Sequence, residues 1–332
     1  MPITTTHVGP HVYTSGGTQS VIRTIRDECI GADNVSVLAT WDGFRNARNA
    51  ALLASAARTL AVVDRKEIVH LHISNGGGWL REGTLLLVCR ARGLRTVVTI
   101  HGFNFPEFAK ARPAFVRRVL SQAHHVITLS EDARDAVAAL VDVDVSVVPN
   151  PIAIDFEAPP VESTPPVALF AGAIGRRKGV DVLIEAWRVL LKSGTDGFLR
   201  IVGPDDDIRP PQLPRMSVGA AVHPTKVPEL IRAARLVVLP SRAEAMPMIL
   251  TESLAAARPF VATDVGGVSS ITPERRMLIS KNDAPALAAA MAVYLNDPAA
   301  AADDGRRGQR FIMETRSPEV VGKRLREIYD GL

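Results

Sequence analysis

Short apolar, β-branched runs alternate with helical patterns along most of the chain. In the first half the runs are IVHLHI (68–73), RTVVTIHG (95–102), HVITLS (125–130) and VSVVPN (145–150), and helical patterns at 79–92, 107–123 and 131–140 separate them. Strands that are apolar at nearly every position predict a parallel sheet with both faces covered, and the intervening helices supply the cover. The alternation stops at PNPIAIDFEAPPVESTPP (149–166), where six prolines and several acidic residues exclude a helix or a central strand. This segment reads as a linker. The pattern resumes with VALFAGAI (167–174), a helix at 179–192, FLRIVG (198–203), a helix near 226–234, LVVLPS (236–241), a helix at 247–257 and FVATDVGG (260–267). Helical stretches then run to the C-terminus. The expected fold class is α/β, with two doubly wound, Rossmann-like domains at 1–150 and 151–315 and a final helix, 316–332, placed to cross back to the first domain. Such sheets bind ligands at the carboxyl ends of their strands, so the site is expected in a central cleft that the two domains face.

Composition narrows this picture. The chain has 332 residues, 47% of them hydrophobic and 22% charged, enough for two cores and too apolar for disorder. MPITTTHVGP shows no basic stretch followed by an apolar one, and LLLVC (85–89) and ALAAAMAVYL (286–295) are too short to span a bilayer. The expectation is a soluble, cytoplasmic protein without a signal peptide. Cys29 and Cys89 are expected as buried free thiols and not as a disulfide. A sequence pI near 9.3 favours phosphorylated ligands or anionic lipid. With 5% aromatics and scattered arginines there is no stacking platform, and nucleic acid is not an expected partner.

The stretch SRAEAMPMILTESLAAARPFVATDVGG (241–267) carries the chemistry. It places Glu244 and Glu252 eight positions apart around an apolar segment. LVVLPS is a buried strand, Pro247 fits the first turn of a helix, and Pro259 stops it. Glu244 therefore lies on a loop, Glu252 lies within the helix, and the free amides of Met248, Ile249 and Leu250 lie between them. Eight residues of largely helical chain span roughly 12 Å, the length of a nucleotide diphosphate sugar from ribose to hexose. Carboxylates at both ends suit hydroxyls, and a helix N-terminus between them suits a pyrophosphate. A capped helix with two incidental glutamates would show the same spacing.

Further motifs occur in order along the chain. FAGAIGRRKGVDVLIEAW (170–187) has a strand, a Gly, then Lys-Gly opening a helix; YTSGGTQSVIRTI (13–25) has a Gly-Gly loop; TVVTIHG ends a strand in His; VVPNPIAID sits at the domain crossing. Together with Glu-x7-Glu they resemble the retaining GT-B glycosyltransferases of group 1, family 4. The resemblance covers nearly the whole chain. It implies a GT-B fold and transfer of a sugar from a UDP- or GDP-linked donor to a hydroxyl acceptor (a sugar, lipid-linked, protein or small-molecule hydroxyl) with retention and without a metal or other cofactor. It also implies roles: His101, Glu244 and Lys178 as catalytic residues, and Gly16, Gly17, Arg176, Arg177, Lys178, Met248, Ile249, Leu250 and Glu252 around the donor. Glu252 would take the ribose hydroxyls, Glu244 the donor sugar, and Lys178 with an arginine the pyrophosphate.

The chain departs from the family pattern at Ala173, where an Arg is usual, at AMP (245–247) after Glu244, and in the short, proline-rich GPDDDIRPPQLPRMSVG (203–219). Arg176 is the first candidate to replace the missing arginine and Arg177 the second. These departures keep two alternatives in view: a nucleotide-sugar epimerase or hydrolase on the same fold, and a catalytically silent subunit that binds sugar nucleotides.

Three other features have weaker readings. The Asp-x-Asp within Asp205–Asp207 reads as a solvated loop in preference to a metal site. His70 and His72 share one face of a strand, a two-ligand start without an evident third. Lys110, Arg112, Arg117 and Arg118 lie among Phe108, Phe115, Val116, Val119 and Leu120, a pattern of either a solvated basic face or peripheral contact with an anionic membrane inner face.

Overall fold

The eight predicted runs all form strands, and four further strands join them in a computed structural model. It describes residues 4–12, 16–43, 47–153 and 158–332; Tyr13, Thr14, Ser15, Ile154 and Asp155 of the motifs lie outside the described residues. The chain divides into two compact units, Met1–Ala153 with Arg316–Leu332, and Ile154–Thr315.

In the first unit the strands are β1 (Thr5–Pro10), β2 (Val35–Trp41), β3 (Ile68–Ile73), β4 (Arg95–Ile100), β5 (His125–Thr128) and β6 (Asp144–Val147). They form one sheet in the order β2-β1-β3-β4-β5-β6, every pair parallel. All six residues of β3 are buried, as near-continuous apolar character predicts for a strand covered on both faces. β1 and β2 have no counterpart among the predicted runs. Thr5, Thr6 and His7 make β1 look polar, and Gly9-Pro10 reads as a turn, yet its six positions are all buried.

The predicted helix at 107–123 is instead two, Phe105–Ala111 and Pro113–Leu120. Pro113 disfavours helical geometry at the residue before it, and Arg112 adopts φ −138° and ψ 53°. The apolar faces of both helices join an aromatic stack on Trp79, with ring centroids 5.6 Å to Phe105, 5.3 Å to Phe108 and 6.5 Å to Phe115. The C-terminal helix Pro318–Asp330 belongs to the first unit. It crosses the segment Ile25–Ile30 so closely that a Cβ on Gly322 would stand 2.6 Å from the Cys29 carbonyl, which accepts from Arg326 Nη1 at 2.7 Å. Cys29 and Cys89 are both buried free thiols, and burial above all pushes each up to about 12.

The second unit holds β7 (Val167–Ala171), β8 (Phe198–Val202), β9 (Met216–Gly219), β10 (Leu236–Leu239), β11 (Phe260–Thr263) and β12 (Leu278–Ile279). Their order is β12-β11-β10-β7-β8-β9, again all parallel. This is the Rossmann order, reversing between β7 and β10. Arg258 is 1% exposed without a carboxylate partner; its guanidinium instead serves the carbonyls of Ala234 at 2.9 Å, Arg232 at 2.8 Å and Pro159 at 2.8 Å. One buried cation thus caps backbone that no helix bond satisfies.

A second buried ionisable group has a pH signature. Glu82 is 1% exposed, Oε1 lies 2.5 Å from Thr40 Oγ1, and Oε2 has no hydrogen-bond partner among the described residues. Thr40 Oγ1 also lies 3.1 Å from the Gly9 carbonyl. A hydroxyl has one proton, so both contacts are satisfied when a protonated Glu82 donates to Thr40 and Thr40 donates to Gly9. Burial above all pushes the Glu82 carboxyl up to about 7, against 4.5 for the free group. The folded state then holds a proton that the unfolded state releases, so stability falls as pH rises from about 4.5 to 7. Glu82→Gln keeps a donor toward Thr40 and should remove this slope, gaining up to about 3 kcal/mol over wild type at pH 7. Urea midpoints of both proteins between pH 5 and 8 measure it; parallel curves would show that Glu82 is ionised when folded.

Candidate functional site

At the switch point of the second sheet, the loops after β7 and β10 are pressed together. β7 ends at Ala171, Ile174 forms a bridge with Asp205, and Arg176–Lys178 make one tight turn before the helix Val180–Lys192. Gly179 allows the close approach: its φ is +72°, and a Cβ there would lie 1.9 Å from the Pro240 carbonyl. Lys178 is thereby carried to the loop after β10. Its Nζ donates to Glu244 Oε1 at 2.5 Å, and Ser241 Oγ donates to the same oxygen at 2.6 Å. Glu244 is 7% exposed, so this pairing is what makes its burial tolerable.

The surrounding charges fix the two loops. Arg242 forks onto Asp181 with both distances 2.8 Å, its backbone N–H donates to the Arg177 carbonyl at 2.8 Å, and Nη1 also donates to the Arg176 carbonyl. Asp207 Oδ1 accepts the Arg176 N–H at 2.7 Å. The two candidate arginines point differently. Arg176 is 70% exposed with Nη1 3.7 Å from Asp181, whereas Arg177 Nη1 reaches the Ala243 carbonyl at 3.4 Å, beside Glu244.

The helix Met248–Ala255 follows, with Pro247 in the capping position before it and not inside its first turn. Leu250 N–H bonds to the Pro247 carbonyl at 3.2 Å, so the amides that the helix leaves free are those of Met248 and Ile249. Glu252 is half-buried just over one turn further on. Opposite the Glu244 loop, Gly266 has φ +55° and a Cβ there would stand 1.8 Å from the Glu244 carbonyl. The Asp205–Asp207 run is part of this scaffold: Asp205 bridges Ile174 and Asp207 caps Arg176.

The first unit has its own set of groups at the ends of β1, β3 and β4. Gly16 and Gly17 are exposed at the start of the helix Gly17–Thr24. Half-buried His101 follows β4, its N–H bonded to the Ile73 carbonyl at 2.7 Å. Behind it the structure supplies the third histidine that the sequence does not reveal. His7 on β1 stands opposite His70 on β3, and one ring nitrogen from each of His7, His70 and His72 lies within 4.8 Å of the others. Of the six ring nitrogens of these histidines, all but His7 Nε2 are taken up by hydrogen bonds. His7 Nδ1 and His72 Nε2 are 2.9 Å apart, closer than the roughly 3.3 Å of two ligands on one tetrahedral zinc. His70 is held at Nδ1 by Tyr329 Oη at 2.7 Å and at Nε2 by Thr99 Oγ1 at 2.6 Å. Asp181 and Arg242, like His7 and Tyr329, are absent from the sequence reading because no motif spacing connects them to their partners, and Ser241 enters it only as the end of the strand before Glu244.

Comparison with known proteins follows the same division of the chain. Residues 9–156 match the family model described as Glycosyltransferase Family 4, and residues 165–297 match Glycosyl transferases group 1. A Bacillus subtilis (strain 168) protein that carries the name teichuronic acid biosynthesis glycosyltransferase TuaC is 28% identical over 245 residues, 69% of this chain and 61% of its own length. D-inositol 3-phosphate glycosyltransferase 1 of Catenulispora acidiphila is 34% identical over 152 residues, 40% of this chain and 36% of its own. The chain therefore spans less than two thirds of the length of either relative. Among solved structures, Anabaena Alr3699/HepE in complex with UDP and glucose superimposes with a TM-score of 0.74 at 15% identity, covering 99% of this chain and 100% of that one.

The close approach at Gly266 yields a stability prediction. Gly194 has a similar φ of +73° but open space around it, so Gly194→Ala should cost about 1 kcal/mol, the left-handed penalty alone. Gly266→Ala adds a backbone collision and should cost at least about 3 kcal/mol. Equal urea midpoints for the two variants would mean that the Glu244 loop yields freely.

Proposed function

Because the chain belongs to the GT-B glycosyltransferases of group 1, family 4, we propose that it transfers a sugar from a nucleotide diphosphate donor, UDP- or GDP-linked, to a hydroxyl acceptor. The observation that carries this reading is the buried Lys178–Glu244 pair at the switch point of the second sheet, beside the free amides of Met248 and Ile249. Breaking a glycosyl–phosphate bond leaves negative charge on the diphosphate and positive charge on the sugar. Lys178, Arg177 and the two amides suit the first, and Glu244 next to them suits the sugar. Glu252, one turn along the helix, is positioned for ribose hydroxyls. The names of the relatives, with UDP and glucose in one and an inositol phosphate in another, fit a sugar nucleotide donor and a polyol or glycan acceptor.

We further propose retention of configuration, with an oxygen of the donor phosphate taking the acceptor's proton, and His101 with Gly16 and Gly17 on the donor. Metal independence is part of the proposal: two of the three aspartates at 205–207 are engaged in the loop, Asp205 bridging Ile174 and lying 3.5 Å from Arg209, and Asp207 accepting the Arg176 N–H. Turnover of UDP- and GDP-sugars, with the anomeric configuration of product read by NMR, tests the proposal. Activity should survive EDTA. Lys178→Ala and Arg177→Ala should each lower kcat by about 100- to 1,000-fold, the size of one preorganised donor to developing charge, and Arg176→Ala by little. Loss of activity on chelation with recovery on adding manganese would overturn metal independence. Nucleotide binding without turnover of any donor would return the chain to a silent binding subunit, and release of free sugar or an epimer would make it a hydrolase or epimerase.

Peripheral membrane contact by the basic helices is proposed on charge alone. Lys110, Arg112, Arg117 and Arg118 are exposed, whereas Val116, Val119 and Leu120 are buried and Phe108 packs on Trp79. No helix among the described residues is long and apolar enough to cross a membrane. Vesicles rich in anionic lipid should sediment the protein at low salt and release it at high salt. Retention at high salt would require an apolar insertion that these buried side chains do not offer.

A further inference from the structure

Three histidines form a hydrogen-bonded row that ends at His101. His7 Nδ1 lies 2.9 Å from His72 Nε2, and His72 Nδ1 lies 3.0 Å from His101 Nε2. His70 packs against both inner rings, tilted to His7 with centroids 4.8 Å apart and stacked on His72 at 4.4 Å, but its own nitrogens are tied to Tyr329 and Thr99. It therefore packs the row without competing for its protons. His7 and His70 are 0% exposed and His72 is 1% exposed.

A neutral imidazole carries one N–H, so each contact uses one proton and the row has two consistent directions. In one, protons sit on Nδ1 of every ring: His7 donates to His72, His72 donates to His101, and His101 is left with Nδ1–H. In the other, protons sit on every Nε2, and the row ends with an N–H on His7 Nε2. That atom is buried without a hydrogen-bond partner among the described residues. A buried N–H with nothing to donate to is rarer and costlier than a lone pair with nothing to accept. The inner end of the row therefore selects the first direction. Burial holds His7 at about 3 and His101 at about 4, and keeps His72 well below the usual imidazole range, so each ring carries one proton at neutral pH.

We propose that His72, backed by His7, is a positioning residue that fixes His101 as the Nδ1–H tautomer, so that His101 meets the substrate as a hydrogen-bond donor. Its Nε2 is occupied by His72, and Nδ1 is the nitrogen left for an oxygen of the bound sugar. This deepens the glycosyltransferase reading and rests on it for the identity of that oxygen. It also excludes His101 as the base that takes the acceptor's proton.

Long-range proton–nitrogen NMR spectra of the full chain, labelled in histidine, read the tautomer directly. His7, His72 and His101 should all be protonated at Nδ1 near pH 7; an Nε2 proton on His101 overturns the proposal. Two variants separate donation from packing. The amide nitrogen of Asn takes the place of imidazole Nδ1, and that of Gln the place of Nε2. His72→Asn should keep the His101 tautomer and keep kcat within about twofold. His72→Gln should lose the tautomer and lower kcat by about tenfold, with donor KM little changed. Identical tautomers and rates in the two variants also overturn the proposal, because packing alone would then account for His72. Should no nucleotide sugar turn over even in the wild type, the functional reading fails, while the spectra still decide the row.

Discussion

Every strand in both sheets runs parallel to its neighbours, and the rest of the molecule follows from that constraint. Parallel pairing requires a crossover after each strand, so helices cover both faces and all strands of a sheet end on the same edge. The loops that carry polar chemistry can gather only there. Where the strand order reverses, the loops after two neighbouring strands lead to helices on opposite faces and meet at the strand ends. In the second unit these are the loops after β7 and β10, which hold Lys178 and Glu244.

The charges at that edge are arranged in pairs that limit one another's cost. Glu244 is buried against Lys178 and Ser241, and Arg242 is clamped on Asp181 while it holds the backbone of Arg176 and Arg177. Without a ligand, Lys178 and Glu244 answer each other's charge. Under the proposed function the cation would take phosphate oxygens of the donor and the carboxylate its sugar hydroxyls. The pair holds both side chains in fixed orientations, at a modest cost of burial.

The first unit solves a different problem, the burial of neutral polar side chains. His7, His70 and His72 lie in a sheet face where water is excluded, and each finds its partner on another element: β1 to β3, β3 to β4, and β3 to Tyr329 of the C-terminal helix. The last of these ties the end of the chain to the centre of the first sheet, across more than 250 positions of sequence (|i−j| = 259). Such contacts are worth most where they are fully satisfied, and His7 Nε2, without a partner among the described residues, is what the proposed direction of the row rests on.

Local pattern determined the strands that are continuously apolar, the break at 149–166, and the residues that cluster around Glu244 and Lys178. Those signals survive in one dimension because a strand buried on both faces must be apolar at every position, and because the tight turn before the helix Val180–Lys192 needs Gly179 within a few residues of the strand end. β1 was not legible, since a strand whose threonines and histidine find partners inside the sheet looks polar in sequence, and neither was the two-residue β12. The same limit hid His7, Asp181 and Tyr329. Tertiary structure alone decided that Arg177 and not Arg176 lies beside Glu244, that the basic helices spend their apolar faces on Trp79, and that three histidines stand in a row. Each of these depends on which strand lies beside which. Sheet order brings together residues far apart in the chain, and the energy of a buried polar group is set by the neighbour it meets there and not by its own identity.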